Sequence, residues 1–189
     1  MEVFMITLTV IVIIAVIILI VAVLLYNRLV KLRNLSEQAW SDIDVQLQRR
    51  YNLIPNLVET VKGYAIHEKE TFENVIKARQ QAVNIKDNVP KKARAENFLT
   101  KALRQLFAVA EAYPELKANQ NFLELQDQLE EVENHIQLAR RYYNAVARDL
   151  NNAVQMFPSN IVANVFTFHV KDYFELEDVG ARIAPEVRF

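Results

Sequence analysis

The sequence predicts an all-α protein, in which a single N-terminal transmembrane helix continues into a long antiparallel up-and-down bundle of three long helices and a short fourth. Three observations predict this fold class. Residues 3–25 carry no charged side chain. Apolar residues then recur at steps of three and four along most of the chain, as on one face of a helix. The 189 residues include only 2 glycines and 5 prolines, too few for the turns that many short strands need.

The first predicted element is a transmembrane anchor over residues 1–25. Within residues 3–25 only Thr7 and Thr9 are polar, and about 20 apolar residues cross the hydrocarbon core of a bilayer. A cleaved signal peptide is the alternative, but no Lys or Arg precedes the run and no small-x-small cleavage site follows it. A buried soluble helix would need apolar surroundings on every side. We therefore expect the lipid bilayer to contact the chain through residues 3–25.

The charges that flank this run predict its orientation. Arg28, Lys31 and Arg33 follow it, whereas only Met1 and Glu2 precede it. Cytoplasmic flanks of membrane helices carry an excess of Lys and Arg. This bias places the N-terminus outside and the bundle in the cytoplasm, in a single-pass protein of the cell membrane.

The bundle is expected to occupy residues 26–166, and its first helix residues 26–86. The apolar stripe of this helix comprises Trp40, Ile43, Leu47, Tyr51, Ile54, Val58, Val61 and Ala65, and after a charged gap Phe72, Val75, Ile76 and Val83. Pro55 lies inside the stripe. Because proline has no N–H for the carbonyl of Tyr51, we expect a kink there, not a stop. This helix is longer than the others, so its membrane-proximal part is expected to be a stalk or to pair with a second copy.

Three further helices are expected over residues 91–113, 119–156 and 159–166, after a turn at residues 87–90. The stripe of the second helix comprises Leu99, Ala102, Leu106, Ala110 and Tyr113. The stripe of the third comprises Phe122, Leu125, Leu129, Val132, Ile136, Ala139, Tyr143, Val146, Leu150 and Ala153, a run that predicts coiled-coil-like packing. Ser159 is a candidate cap for the short fourth helix. Residues 167–189 form an aromatic-rich tail that we expect to pack on the bundle, anchored by Phe168, Tyr173, Phe174 and Phe189.

Composition and motifs argue against several kinds of site. The chain has no cysteine, which excludes disulfides and thiolate metal sites. Its 22 Lys and Arg balance 23 Asp and Glu, whereas a nucleic-acid-binding protein has a basic excess. His67-Glu68 begins like the zinc motif His-Glu-x-x-His, but Thr71 replaces the second histidine. Val132 lies three residues before His135, so the Glu-x-x-His metal motif also fails. We expect no catalytic residue, metal, cofactor or nucleic-acid partner, and a protein that is not an enzyme.

Two charged residues lie where the stripe predicts apolar ones. At about 100° per residue, Arg50 and Glu68 both project into the apolar arc of the first helix. A buried charge needs a partner, so the simpler interpretation is an interhelical ion pair or a cap that fixes helix register. The alternative is a polar site that senses a ligand, an ion or a partner.

The face opposite the stripe is a candidate surface for a protein partner. It carries Asn52, Asn56, Glu59 and Gly63. Such a face is most often solvated, but small and amide side chains at helical spacing also allow a second helix to approach. The corner after the third helix, which consists of Phe157, Pro158, Ser159 and Asn160, is the other candidate. Lys91, Lys92 and Arg94 are interpreted as solvated surface, or else as a docking site for anionic lipid or an acidic partner.

Five segments stand out by their particular sequences: RRYNLIPNLV at residues 49–58, GYAIHE at 63–68, FPSN at 157–160, YFE at 173–175 and PEVRF at 185–189. Together with the N-terminal apolar run, they resemble the LemA family of bacterial proteins. The resemblance covers nearly the whole chain. It implies a single-pass membrane protein with an up-and-down helical bundle and offers no catalytic position to carry over. The family is similar to a protein needed for magnetosome formation, which hints at membrane organisation.

The expected function is that of a non-enzymatic, membrane-anchored helical scaffold or adaptor of the bacterial envelope. It would present a long helical surface to an unidentified protein partner or to a second copy of itself. The alternative is a ligand- or ion-sensing bundle with a polar site near Arg50 or Glu68, in which binding shifts the kink at Pro55.

Overall fold

The computed structural model describes residues 1–86 and 88–175, and within these ranges all regular structure is helical. The helices are α1 (Glu2–Lys62), α2 (Lys69–Asn84), α3 (Val89–Glu111), α4 (Pro114–Lys117), α5 (Gln120–Gln155) and α6 (Ser159–Val165). The all-α prediction is therefore confirmed for the described residues. One helix among them, α1, is long and apolar enough to cross a membrane, and none of its apolar window is buried.

The chain forms two compact units. Among the described residues, the first comprises 1–41 and 141–171, and the second comprises 42–140 and 172–175. Helices α1 and α5 each contribute to both units. The part of the expected C-terminal tail beyond Glu175, including Phe189, lies outside the described residues.

The first bundle helix ends earlier than its pattern predicts. Periodicity predicts one helix over residues 26–86, whereas α1 ends at Lys62 and α2 begins at Lys69. Gly63 begins the break, and glycine in a helix interior costs roughly 1 kcal/mol relative to alanine. The prediction was wrong because a stripe with a charged gap at Glu68–Glu70 fits two helices as well as it fits one.

Beyond this break, α2 buries a face of its own and packs against α3. Its buried residues are Phe72, Val75, Ala78 and Ala82. Ile76, which the extended stripe includes, is 41% exposed. The contacts of α2 itself thus determine which of its faces is buried, and that face does not continue the stripe of α1.

Short polar side chains cap two of the helices. The side-chain oxygen of Asn88 accepts the Lys91 amide at 2.9 Å at the start of α3. That of Asn119 accepts the Phe122 amide at 3.1 Å at the start of α5. Each satisfies an N–H that lacks an intrahelical partner. Ser159, in contrast, does not cap α6; its hydroxyl donates to the Met156 carbonyl at 2.9 Å.

The core of the first unit brings α6 against α1 and α5. Its buried cluster consists of Leu29, Leu150, Ala153, Val162, Ala163 and Phe168. Trp40 and Tyr143 add a tilted aromatic pair with ring centroids 5.4 Å apart. The Asn151 amide exchanges two hydrogen bonds with the backbone of Lys171, at 2.9 and 2.7 Å, and so holds the segment that follows α6.

The end of α6 is a Schellman motif. The Phe168 amide donates to the Ala163 carbonyl at 2.9 Å, and the Thr167 amide donates to the Asn164 carbonyl at 3.4 Å. Thr167 has φ 54, in the left-handed region where glycine is usual. The motif turns the chain so that the ring of Phe168 enters the core cluster.

The stripes of α1 and α5 supply much of the interior. In α1 the stripe residues from Ile43 to Val61 are buried, while Trp40 is half-buried. In α5 the stripe residues are buried except for Leu125 and Ala139, which are half-buried. These helices therefore use the faces that their periodicity predicts.

Candidate functional site

A charge cluster lies inside the second unit, formed by Arg50, Tyr51, Lys92 and Glu96. The exposed fractions of Arg50, Lys92 and Glu96 are 4%, 2% and 0%. Arg50 and Tyr51 come from the buried stripe of α1, and Lys92 and Glu96 from α3. Charged groups are almost never buried to this extent unless they are paired.

Glu96 is the centre of the charge cluster. The Tyr51 hydroxyl donates a hydrogen bond to its Oε1. Nη1 of Arg50 lies 3.4 Å from its Oε2. Nη2 of Arg50 donates to Thr100 Oγ1 at 2.8 Å and lies 3.4 Å from Glu133 Oε2. Both carboxylate oxygens of Glu96 and both terminal nitrogens of Arg50 are therefore engaged, and the contacts tie α1 to α3 and α5.

Lys92 closes the C-terminal end of α2. Its Nζ donates to the carbonyls of Ala82 and Ile85, each at 3.1 Å, where a helix leaves carbonyls without partners. Nζ also lies 5.2 Å from the centroid of the Tyr51 ring, a cation–π contact. The interpretation of Lys92 as solvated surface was wrong, because charge alone does not reveal that these carbonyls need a donor.

Burial dominates the electrostatics of the charge cluster. It raises the pKa of the Glu96 carboxyl, although Arg50 and the Tyr51 hydrogen bond act in the opposite direction. Burial lowers the pKa of Lys92, opposed by Glu96. Burial and the adjacent Glu96 carboxylate both raise the pKa of Tyr51. Tyr51 thus remains a neutral donor beside the ion pair of Arg50 and Glu96.

Pro55 leaves a gap in the hydrogen bonding of α1 next to the charge cluster. Proline at position 55 lies inside the helix and cannot donate to the carbonyl of Tyr51. Nε of Arg79, from α2, donates to that carbonyl at 2.7 Å. The helix therefore continues through Pro55, and a side chain of the neighbouring helix replaces the missing donor.

A cleft of about 400 Å³ opens beside Arg50, between α3 and α5. Its walls combine apolar side chains with charged and amide groups. They are Arg50, Thr100, Leu103, Arg104, Phe107, Gln126, Leu129, Glu130, Glu133, Asn134 and Gln137. The cleft could hold a small polar molecule, with Arg104 and Glu133 at its sides.

The other residues singled out in the sequence lie apart from the charge cluster. Asn52, Asn56, Glu59 and Gly63 are exposed. Glu68 is half-buried and precedes α2 without a side-chain capping bond. Because α1 ends before it, Glu68 does not share the apolar arc of Arg50, contrary to the single-helix prediction.

The corner from Phe157 to Asn160 belongs to the first unit. Phe157 is 78% exposed, Pro158 is exposed, and Ser159 and Asn160 are half-buried. The side-chain oxygen of Asn160 has no hydrogen-bond partner among the described residues. Within those same residues, no group of three or more His, Asp or Glu is arranged to hold a metal ion.

The sequence analysis did not single out Glu96 and interpreted Lys92 as surface, although a signal for the burial of both was present. Steps of three and four back from Leu99, the first residue of the α3 stripe, reach Glu96 and then Lys92. Extending the stripe across charged residues would have found both. Arg50, in contrast, could be recognised as a charge in an apolar stripe, because stripe residues of α1 both precede and follow it.

These observations describe an all-helical, membrane-associated protein with a buried ion-pair network. The profile of the LemA family matches residues 39–189. The chain therefore belongs to the LemA family.

Several relatives extend this comparison. Magnetosome proteins MamQ 1 and MamQ 2 of Paramagnetospirillum magneticum are each 26% identical over 180 residues, which cover 82% of this chain and 66% of the relative. Protein LemA of Metamycoplasma hominis is 25% identical over 153 residues, which cover 81% of this chain and 70% of the relative. The chain thus spans just under two thirds of the length of the magnetosome relatives.

Proposed function

We propose that this chain is a non-enzymatic, single-pass membrane-anchored scaffold or adaptor of the bacterial envelope. One observation carries the proposal. The uncharged run of residues 3–25 is exposed except at Ala22 and Leu25, and it belongs to the same helix, α1, as the buried stripe from Ile43 to Val61. A helix of this kind joins a bilayer span directly to a folded domain, without an intervening linker.

The proposed domain is an antiparallel up-and-down bundle. Leu29 shares a core cluster with Leu150, whereas Trp40, further along α1, pairs with Tyr143, which lies earlier in α5. A residue later in α1 thus contacts a residue earlier in α5, and this order of contacts supports antiparallel packing of the two helices. The charge cluster would then fix the register of α1 against α3, because each buried charge has its partners at one register alone.

The proposed orientation has the N-terminus outside and the domain in the cytoplasm. Arg28, Lys31 and Arg33 follow the apolar run, and all three are exposed. Their charges favour the cytoplasmic side.

Relatives that are named magnetosome proteins are compatible with a part in a larger cellular assembly.

The proposed surface for a protein partner is the outer face of α1 at Asn52, Asn56, Glu59 and Gly63. All four are exposed, at positions three and four apart. A Cβ added at Gly63 would lie 3.4 Å from the Thr60 carbonyl and otherwise meet open space. Nothing within the described part of the second unit covers this face.

Site-specific photocrosslinking in intact cells tests this surface. A photoreactive residue is placed singly at Asn52 or Asn56, and at exposed Gln128 on α5 as the matched control. We expect the same crosslinked product from both α1 positions, with another copy or a second protein, and no such product from Gln128. Products that are absent, or equal at all three positions, would exclude this face as the partner surface.

A second function, a ligand- or ion-sensing bundle, is favoured by the cleft beside Arg50. A ligand that binds there would stabilise the folded chain by RT ln(1 + [L]/Kd), so the unfolding temperature would rise with the logarithm of the ligand concentration once that concentration exceeds Kd. Arg104→Met alters the wall of the cleft, and Arg94→Met changes an exposed arginine of α3 outside it. Sensing predicts a thermal shift that Arg104→Met abolishes and Arg94→Met retains. A shift that survives in both variants would place the ligand elsewhere.

A further inference from the structure

Exposed apolar side chains are concentrated around α6. Phe157 is 78% exposed, Val165 70%, Met156 62%, Ile161 55% and Phe166 54%. We call these five residues the apolar corner. Val162 and Ala163, on the inner side of α6, are buried in the core cluster. The outer side of the short helix thus carries exposed apolar side chains although its inner side is already buried in the core, and exposed apolar side chains gathered in one region mark a contact with another molecule or with lipid.

The apolar corner lies beside the end of the apolar run of α1. Ala22 and Leu25, the last turn of that run, pack against the cluster that contains Val162 and Ala163. The Tyr26 ring is 4.7 Å from that of Phe166, between centroids. Phe166, which directly follows α6, therefore lies beside the end of the apolar run.

The charges around the apolar corner are arranged as at a membrane surface. No Asp, Glu, Lys or Arg occurs between Asp149 and Lys171. Arg28, Lys31 and Arg33 are exposed on the next turns of α1, and the guanidinium of Arg33 lies 5.4 Å from the centre of the Phe168 ring. Apolar groups at one level and cations at the next match the order of acyl chains and anionic headgroups.

We propose that the apolar corner is a second membrane-contact element, immersed in the headgroup–acyl boundary of the bilayer that residues 3–25 span. This inference rests on the proposed transmembrane anchor. The occupant is lipid, because Phe166 of the corner contacts Tyr26 at the end of the apolar run and exposed cations follow on the next turns of α1. The sequence alone suggested a protein partner at residues 157–160, and the packing of α6 against the end of the apolar run favours lipid instead. The first unit would thus be fixed at the membrane at two points.

Nitroxide accessibility in the full-length protein tests this proposal. The chain has no cysteine, so a spin label attached at one engineered cysteine reports a single position. The sites are Phe157 and Val165 in the apolar corner, Val16 in the apolar run, and exposed Arg148 on α5 of the same unit as the matched control. Each labelled protein is placed in nanodiscs of phosphatidylcholine and phosphatidylglycerol, with helicity checked by circular dichroism. Relaxation by oxygen, which concentrates in lipid, is compared with relaxation by a water-soluble nickel chelate.

We expect the ratio of oxygen to nickel accessibility at Phe157 and Val165 to rise from the Arg148 value toward the Val16 value. A ratio equal to that at Arg148, with Val16 in lipid, would overturn the second contact and leave the anchor intact. Protection of both corner sites from oxygen and nickel alike would assign the surface to a second copy of the chain, and would also overturn it. If Val16 itself matched Arg148, the transmembrane anchor and the inference that rests on it would both fail.

Discussion

Arg79 donates from Nε to the backbone carbonyl of Tyr51 at 2.7 Å. This carbonyl is the one that Pro55 deprives of its helical donor. The Tyr51 carbonyl belongs to α1 and the Arg79 side chain to α2, so this hydrogen bond joins the two helices at the charge cluster.

Arg79→Met is expected to lower the free energy of unfolding by about 1–2 kcal/mol, because the Tyr51 carbonyl loses its donor. The loss should be smaller when Pro55→Ala is also present, since alanine restores the N–H of the helix. A double-mutant cycle in denaturant measures this coupling. Lys77→Met, at an exposed position of α2, is the control. Equal losses in the two backgrounds would mean that Arg79 does not substitute for the missing donor.

Arg50→Met is expected to lower the free energy of unfolding by about 3–5 kcal/mol, because Glu96 would remain buried without its cation. Glu96→Gln removes the negative charge but retains an acceptor for the Tyr51 hydroxyl. The double variant should therefore lose less stability than Arg50→Met alone. Chemical denaturation of the three variants measures the difference, and strictly additive losses would contradict a direct interaction.

The stability of the protein is expected to depend on pH through Glu96. Burial raises the pKa of this carboxyl above its ordinary value of 4.5. The folded chain therefore keeps the proton to higher pH than the unfolded chain, so this contribution is complete below pH 4.5 and is lost as the pH rises through the raised pKa. Wild type should lose stability over this window relative to Glu96→Gln, which does not titrate. Unfolding at stepwise pH tests this, with exposed Glu130→Gln as the control. If the difference in free energy of unfolding between wild type and Glu96→Gln did not change with pH, the pKa of Glu96 would not be raised.

Thr167→Gly is expected to raise the free energy of unfolding by about 0.5–1 kcal/mol. Thr167 has φ 54, and a β-branched residue is strained in this left-handed conformation. Thr167→Asn, which tolerates the region better than threonine, should give a smaller gain. Thermal unfolding of both variants provides the comparison. A loss of stability in Thr167→Gly would indicate that the threonine side chain stabilises the folded chain by more than the left-handed conformation of Thr167 destabilises it.

The buried faces of α1 and α5 could be predicted because helical periodicity is a local property of the sequence. The break between α1 and α2 could not, because the residues on both sides of Gly63 fit a helix and only packing selects two. Gly63 and the charged residues that follow it were the available signal. Asn88, Asn119 and their helix starts agree with ordinary capping rules.

The candidate site was predictable in part. Arg50 was noticed as a charge within an apolar stripe, but its partners on α3 and α5 depend on which helices become neighbours. Lys92 was misread because its carbonyl acceptors, from α2, come together with it only in the folded chain. The position of α6 beside Tyr26 likewise follows from a contact between residues distant in sequence, which no local pattern specifies.

The central claim is that residues 3–25 cross a bilayer and carry the helical domain on the cytoplasmic side. Cysteines placed singly at Glu2 and His67, the latter exposed in the connection between α1 and α2, would each be the only thiol of the chain. Intact cells are treated with a membrane-impermeant maleimide and compared with lysed cells. We expect labelling at Glu2 in intact cells, and protection at His67 until lysis. Labelling of both positions in intact cells, or protection of both, would contradict a membrane span, and labelling at His67 alone would reverse the orientation.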